Sequence, residues 1–303
     1  MKSNNENLEQ YSDEEITQKY MEAGDILSKV REEVKNRVKK GESLLEVANQ
    51  VEKTIVDLGG QPAFPCNISR NDEAAHATPS IDDDSVFDDD MVKLDMGVHV
   101  DGYIADSAVT VDLSGNNDLV KASEDALYAA IDVIKSGVNT AEIGSVIEDT
   151  ITGYGFKPVV NLTGHGLDRY IAHASPSIPN RHVDQGVVLN EGDIIAIEPF
   201  ATDGAGKIGN GPWAEIYSVI GKKSVRLPAA RKLMKELEKY RTLPFAKRWL
   251  KSSANSIDFS LLQLEKAGAI RSYPVLKEIE GGLVSQAEHS VIVTEDGCDI
   301  ITK

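Results

Sequence analysis

Apolar residues recur at helical spacing through the first part of the chain. Beginning at Ser12, which with Glu15 has the pattern of a capping box, apolar positions repeat at steps of three and four until Gly41. A second amphipathic stretch runs from Ser43 to Leu58 and ends at a pair of glycines. This pattern predicts two helices, each with one apolar face.

The periodicity then changes to strict alternation. One face of the alternating segment carries Val92, Leu94, Met96, Val98 and Val100, and the other carries Lys93, Asp95, Gly97, His99 and Asp101. Alternation of this kind predicts a half-buried strand. Asp101-Gly102 favours a two-residue hairpin turn, so we expect a return strand from Tyr103 to Val111.

Helical and strand patterns alternate along the remainder of the chain. The predicted elements are helices Asp118 to Lys135 and Thr140 to Thr152, a strand Asp193 to Glu198, helices Ala229 to Tyr240 and Asp258 to Lys266, a possible strand pair after Gly268, and a closing hairpin of residues 288–294 and 298–302. Such a mixture predicts an α+β or α/β domain around one sheet.

Composition narrows the class of protein. No segment approaches the roughly 18 consecutive apolar residues of a membrane span, and residues 1–7 lack the apolar run of a signal peptide. We therefore expect a cytoplasmic protein with no membrane contact. The two cysteines, Cys66 and Cys298, are too few for a disulfide framework or a cysteine-rich zinc site.

Charge is distributed unevenly along the 303 residues. The formal net charge is −17, from 32 Lys and Arg against 49 Asp and Glu. Residues 204–280 nevertheless hold 15 Lys and Arg against 7 Asp and Glu. This shift favours an inserted basic subdomain in an acidic chain, although the basic residues could equally well do no more than solvate exposed helix faces.

The predicted hairpin has a chemical consequence. With a two-residue turn at Asp101-Gly102, Gly97 lies opposite Asp106, and Asp95 lies opposite Ala108. The two aspartates are then diagonal neighbours on one face, about 7–8 Å apart at the backbone. Two ionised carboxylates so close repel unless they share a proton or a cation. We expect a cation above Gly97; the alternative is a pair of surface aspartates.

Further polar groups occur at unusual places. Gly164-His165-Gly166 sets an imidazole between two glycines, as where backbone approaches a ligand closely. Glu198 ends one apolar strand and Glu288 precedes another, so both carboxylates need partners. Four carboxylates with one imidazole suit two oxygen-preferring ions better than a structural zinc. Two metal ions held side by side in this way activate a water molecule for amide hydrolysis.

The run from Asp90 to Gly102, with Asp106, resembles the signature of type II methionine aminopeptidases. The resemblance extends, in the family's order, to Phe64-Pro65, Ala74-Ala75-His76, Gly164-His165-Gly166 with His173, Ile178-Pro179-Asn180, Ile197-Glu198-Pro199-Phe200 and Ala287-Glu288-His289. It implies the pita-bread fold, an antiparallel sheet flanked by helices, with two pseudo-symmetric halves and a dinuclear site between them.

The resemblance also implies a metal site. Asp95 is expected to bind one ion through both oxygens, Asp106 and Glu288 to bridge the two ions, and His165 and Glu198 to complete the second. The two ions per chain could be Fe²⁺, Mn²⁺, Co²⁺ or Zn²⁺, since this ligand set accepts all four.

Catalytic and substrate-binding roles follow from the same resemblance. His173 is expected to stabilise the developing oxyanion, and His76 to contact the substrate and aid proton transfer or positioning. Phe64 and Phe200 are expected to form the pocket for the methionine side chain. Ala172 weakens this pocket assignment, because a larger aliphatic residue often occupies that position in the family.

The expected activity is removal of the initiator methionine from nascent polypeptides whose second residue is small. Because Lys2 is large, this preference would leave the chain's own Met1 in place. The long separation of Glu198 from Glu288 resembles the type II branch, which implies a winged-helix-like helical subdomain at 204–272 within a catalytic domain of 1–203 and 273–303. The chain resembles the short archaeal form, and we expect a monomer whose basic insert could contact the ribosome.

Two other readings stay open. A proline-directed peptidase such as prolidase or aminopeptidase P shares the fold, although the insertion is not expected there. A non-catalytic relative could bind RNA or protein, but a decayed site has no reason to keep all five ligands.

Overall fold

A computed structural model describes residues 11–221, 223–251 and 254–303. The α-helices are α1 (Asp13–Val34), α2 (Leu44–Asp57), α3 (Asn117–Val133), α4 (Thr140–Gly153), α5 (Pro228–Leu237) and α6 (Ala254–Lys266). The strands are β1 (Gln61–Pro62), β2 (Asn67–Arg70), β3 (Glu73–Ala75), β4 (Met91–Val100), β5 (Tyr103–Asp112), β6 (Lys157–Pro158), β7 (Thr163–Asp168), β8 (Ile171–Pro179), β9 (Ile194–Ile197), β10 (Phe200–Thr202), β11 (Ile208–Asn210), β12 (Ile216–Val219), β13 (Phe245–Ala246), β14 (Ile270–Tyr273), β15 (Leu276–Glu278), β16 (Val284–Gln286), β17 (His289–Val293) and β18 (Cys298–Ile300). The predictions for the polar amino terminus and for Met1-Lys2 lie outside the described residues.

The first half of the fold places α1 and α2 against the β4–β5 hairpin. The predicted capping box is present, since the Ser12 hydroxyl accepts from the Glu15 amide and the Glu15 carboxylate accepts from the Ser12 amide. The Ser43 hydroxyl caps α2 by accepting from the Glu46 amide. Helix α1 ends earlier than predicted, at Val34, because a 3-10 turn follows before Gly41.

The hairpin has the predicted register. Gly97 pairs with Asp106, and Asp95 pairs with Ala108. Asp101 and Gly102 both have positive φ, 52° and 93°, as a type I′ turn requires. The expectation of a half-buried strand was wrong, because protein also covers the second face of β4 and leaves Lys93 0% exposed.

The second half packs α3 and α4 on the five-stranded sheet β18-β17-β9-β7-β8. The predicted closing hairpin is confirmed as the antiparallel pair β17–β18. Hydrogen bonds join this half to β5: the Asp106 amide donates to the Ser290 hydroxyl at 2.9 Å, and the Glu288 amide donates to the Ala108 carbonyl at 3.0 Å. These bonds bring the two carboxylates to one seam.

The basic segment has a hydrophobic core of its own. Helices α5 and α6 pack against the sheet β13-β12-β14. The predicted strands after Gly268 form but do not pair with each other, because β14 pairs with β12 while β15 pairs with β11 and β3. No helix among the described residues is long and apolar enough to cross a membrane.

A buried ion pair fastens this segment to the first half. The Arg248 guanidinium contacts the Glu52 carboxylate, and their side chains are only 3% and 12% exposed. Trp249 donates to the same carboxylate at 2.7 Å. Arg248 also donates to the Thr78 hydroxyl at 2.7 Å, so the bond network reaches the loop that follows His76.

Breaking this ion pair should destabilise the protein. In Glu52→Gln the buried guanidinium has no counter-charge, and we expect the free energy of unfolding in urea to fall by about 3–5 kcal/mol. The double variant E52Q/R248M removes both charges and should recover most of that loss. A double variant as unstable as the single one would contradict the ion-pair explanation.

Candidate metal centre

A cavity of about 420 Å³ lies at the seam between the two halves. Its lining includes every site residue predicted from the sequence: Phe64, His76, Asp95, Asp106, His165, His173, Glu198, Phe200 and Glu288. The basic segment supplies Ile216, Pro244, Arg271 and Tyr273 to the same cavity. Elements far apart in sequence therefore meet around one space.

Three of the predicted ligands form a compact group. One ligand atom each from Asp106, His165 and Glu288 lie within 4.8 Å of one another. All three side chains are buried, with Asp106 4% and Glu288 2% exposed. Asp106 comes from β5, His165 from β7, and Glu288 from the residue before β17, so the seam itself creates the group.

His165 presents a bare nitrogen to the carboxylates. Its Nδ1 lies 3.1 Å from the Gly166 carbonyl, which can only accept, so Nδ1 carries the proton and Nε2 does not. Nε2 lies 3.6 Å from Glu198 and 4.0 Å from Asp106. Burial, followed by the charge of His173, lowers the pKa of His165 to about 3. A neutral imidazole oriented in this way suits a metal ion.

Buried oxygens without partners mark the cation site. Asp95 Oδ1, Asp106 Oδ1 and Glu288 Oε1 have no hydrogen-bond partner among the described residues. Burial raises the pKa of Asp95 to about 6. Burial first, and then neighbouring carboxylates, also raise the pKa of Asp106 and Glu288. Unpartnered buried carboxylates are costly, and a set of four with one imidazole fits bound divalent ions.

Two amides that the sequence analysis missed support the carboxylates. Asn67 donates to Asp95 at 3.2 Å, and Gln286 lies 3.4 Å from Glu198 and 3.5 Å from Glu288. Only Gln286 could have been found from local pattern, because it precedes Glu288 by two residues, a spacing that places side chains on one face of an extended chain. Asn67 pairs directly with Asp95 across two strands that are distant in sequence, a pairing that no local pattern indicates.

The glycines beside the site have other roles than expected. A Cβ at Gly97 would overlap the ring of Phe64, so the absence of a side chain at this glycine makes room for an aromatic ring. At Gly164 and Gly166 a Cβ would collide with backbone carbonyls of the neighbouring strands β9 and β8. The close backbone approach at Gly164 and Gly166 is therefore between strands.

The two predicted catalytic histidines lie on the cavity wall. The His173 ring lies 4.6 Å from that of His165, and the surrounding protein atoms, then the charge of Arg271, lower its pKa. His76 has a positive φ of 63° and a buried Nδ1 without a partner in the described chain. Burial, then His173, lowers the pKa of His76 to about 4. Both rings are therefore neutral near pH 7.

The remaining histidines lie elsewhere. His99 accepts from the Gly102 amide in the hairpin turn, His182 is exposed, and His289 contacts Thr302. None of the three lines the cavity. Ala172 packs into the core of the first half and is not among the residues that line the cavity.

Metal-free protein should lose stability as pH rises. A carboxyl whose pKa is raised by folding contributes stability at low pH, and this contribution is lost as pH rises through the folded-state pKa. For Asp95 the rise from 3.8 to about 6 corresponds to roughly 3 kcal/mol. We expect chelator-treated protein to melt at a higher temperature at pH 5 than at pH 7.5.

Two comparisons isolate this effect. Asp95→Asn should reduce the fall in melting temperature of the metal-free protein between pH 5 and pH 7.5. Added Mn²⁺ should raise the melting temperature more at pH 7.5 than at pH 5, because metal binding displaces protons. Identical melting profiles for the metal-free protein and the Asp95→Asn variant would contradict the assignment of the slope to this carboxyl.

Comparison with known proteins identifies the family. The family model described as Metallopeptidase family M24 matches residues 18–295. The chain belongs to this metallopeptidase family. A curated methionine aminopeptidase from Archaeoglobus fulgidus is 53% identical over 293 residues, covering 96% of this chain and 100% of the relative. One from Methanocaldococcus jannaschii is 51% identical, covering 94% and 98%.

Several solved structures have a fold similar to that of this chain. A thermophilic Arx1 superposes with a TM-score of 0.82 at 19% identity, covering 96% of this chain and 91% of that chain. A methionine aminopeptidase from Thermotoga maritima gives 0.70 at 23% identity, covering 97% and 98%. The prolidase from Pyrococcus furiosus gives 0.63 at 19% identity, covering 95% and 64%. These likenesses show the fold, and the predicted α+β pita-bread class is confirmed.

Proposed function

We propose that this M24 metallopeptidase removes the N-terminal initiator methionine of nascent polypeptides by hydrolysing the first peptide bond. The observation that carries the proposal is the convergence of four carboxylates and one neutral imidazole at a cavity that two phenylalanines also line. The curated relatives at 53% and 51% identity, both named methionine aminopeptidase, support the same activity.

The chain would hold two divalent ions through five residues. Asp95, Asp106, His165, Glu198 and Glu288 would hold these ions, in keeping with their shared cavity. Fe²⁺, Mn²⁺, Co²⁺ and Zn²⁺ are all compatible with these donors. When bound, the ions supply a Lewis acid for the scissile carbonyl and an activated water.

Side chains of the cavity would orient the substrate. Neutral His173 donates a hydrogen bond to the scissile carbonyl oxygen as negative charge develops there. Neutral His76 directs its unpartnered Nδ1 towards the substrate and accepts a proton or positions the leaving amine. Phe64 and Phe200 pack against the flexible methionine side chain.

Domain organisation and partners form part of the same proposal. We treat residues 204–272 as an inserted subdomain of the catalytic domain formed by 1–203 and 273–303, since the segment has its own hydrophobic core. Its excess of Lys and Arg would favour contact with ribosomal RNA. The monomeric state and the cytoplasmic location stay predictions from the sequence.

Peptide hydrolysis tests the activity and separates it from the alternatives. With added Mn²⁺ or Co²⁺, we expect release of methionine from Met-Ala-Ser and no cleavage of Ala-Pro-Ser. Cleavage of the proline peptide alone would favour a proline-directed peptidase of the same fold. Absence of hydrolysis with all four metals would favour a non-catalytic relative.

A further inference from the structure

Arg271 is the one lysine or arginine among the described residues that line the cavity. It lies on β14, within the inserted subdomain, and its side chain is solvent-exposed. No motif in the sequence singles out this arginine. Its position places a permanent positive charge beside the predicted catalytic histidines.

Neighbouring hydroxyls fix the direction of this guanidinium. Arg271 Nη2 and Nε donate to the Tyr273 hydroxyl at 2.6 and 3.0 Å, and Nε also lies 3.2 Å from the Ser218 hydroxyl. An arginine has five N–H donors, so these two partners leave donors for another acceptor. The side chain is therefore held in place while some of its guanidinium N–H groups can still donate to a ligand.

The charge balance of the cavity gives this arginine a ligand class. Four carboxylates at the cavity floor are offset by the two divalent ions of the proposed function, and the histidines are neutral. Arg271 is then the one permanent cation among the described residues that line the cavity outside that group, and its local charge attracts anions. A carboxylate is the anion that a polypeptide substrate carries, and it matches the guanidinium fork.

Distances indicate which part of the substrate reaches the arginine. The Tyr273 ring lies 5.4 Å from the ring of His76 and 4.8 Å from the Arg271 guanidinium carbon. An extended residue spans about 3.3–3.6 Å. The guanidinium is therefore no more than about 10 Å from the His76 ring, a distance that about three extended residues span.

We propose that Arg271 is a specificity-determining residue that binds the side-chain carboxylate of an acidic third residue in the substrate. This inference rests on the proposed aminopeptidase function. The enzyme would process Met-Ala-Glu sequences faster than neutral ones, and Met-Ala-Lys sequences more slowly because like charges meet at the rim.

The test compares C-terminally amidated peptides that differ at one residue: Met-Ala-Glu-Ser, Met-Ala-Gln-Ser and Met-Ala-Lys-Ser. For the native enzyme we expect kcat/KM for the Glu peptide to exceed that for the Gln peptide by roughly two- to fivefold, the size of an exposed ion pair. Arg271→Gln should bring this ratio to about one, whereas Arg271→Lys should keep part of it. The exposed Arg226→Gln serves as the charge-matched control and should keep the native ratio.

The outcomes are distinguishable. A Glu-to-Gln ratio of one in the native enzyme, or an unchanged ratio in Arg271→Gln, overturns the inference while the aminopeptidase function stands. Failure to cleave even the Gln peptide contradicts the function itself. A preference for Met-Ala-Gln as the free acid over its amide, with no preference for Glu in the amidated series, would assign Arg271 to a terminal carboxylate and overturn the side-chain proposal.

Discussion

Glu288→Ala is expected to lower methionine release by roughly a thousandfold or more, because one of the buried carboxylates that would hold the metal ions is lost. Asp106→Ala should have the same effect, since its carboxylate belongs to the same buried group. The measurement is the initial rate of Met-Ala-Ser hydrolysis at saturating metal. Retention of full activity in either variant would exclude the dinuclear arrangement.

Stability measurements separate this effect from misfolding. The pKa of Glu288 is raised by burial and then by the neighbouring carboxylates, so removing it relieves charge crowding in the metal-free protein. We expect metal-free Glu288→Ala to melt at a temperature no lower than the native protein at pH 7.5. Glu280→Ala, at an exposed glutamate nearby in sequence, is the matched control and should keep native activity.

His173→Ala should slow turnover far more than it reduces metal content. The ring lies beside His165 but outside the compact group of ligand atoms, and losing one donor to a developing oxyanion costs about a hundred- to a thousandfold in kcat. Metal analysis of the same preparation should give the native stoichiometry. The exposed His182→Ala controls for removal of an imidazole and should change neither quantity.

The opposite result has a definite meaning. If metal content and activity fell in parallel in His173→Ala, the imidazole would be a metal ligand instead of a group that contacts the substrate. In that case the His173 imidazole would have to move closer to the carboxylates of the metal group when the ions bind.

Local patterns were sufficient to predict the elements that carry the site. The Asp101-Gly102 turn fixed the hairpin register, and the observed pairing of Gly97 with Asp106 follows from that turn alone. Helix starts at Ser12 and Ser43 were predictable because each cap depends on residues only three apart. The five candidate ligands were also singled out from local features, whereas their individual roles at the metal ions came only from the family resemblance.

Features that depend on contacts between distant segments were not predictable in this way. The role of Gly97 depends on where Phe64 packs, thirty-three residues earlier in the chain. The pairing of β15 with β3 depends on how the chain returns from the basic segment to the rest of the fold. Arg271 and Tyr273 gave no sequence signal, because their position on the cavity wall results from how the basic segment packs against the rest of the fold.

The most direct test of the central claim is the rate of methionine release as a function of metal bound per chain. Chelator-treated protein would be titrated anaerobically with Mn²⁺ while bound metal and hydrolysis of Met-Ala-Ser are measured on the same samples. We predict no activity without metal, binding that saturates at two ions per chain, and no activity in Asp106→Ala at any metal concentration. Full activity in metal-free protein, or saturation at a single ion with full activity, would contradict a dinuclear metallo-aminopeptidase.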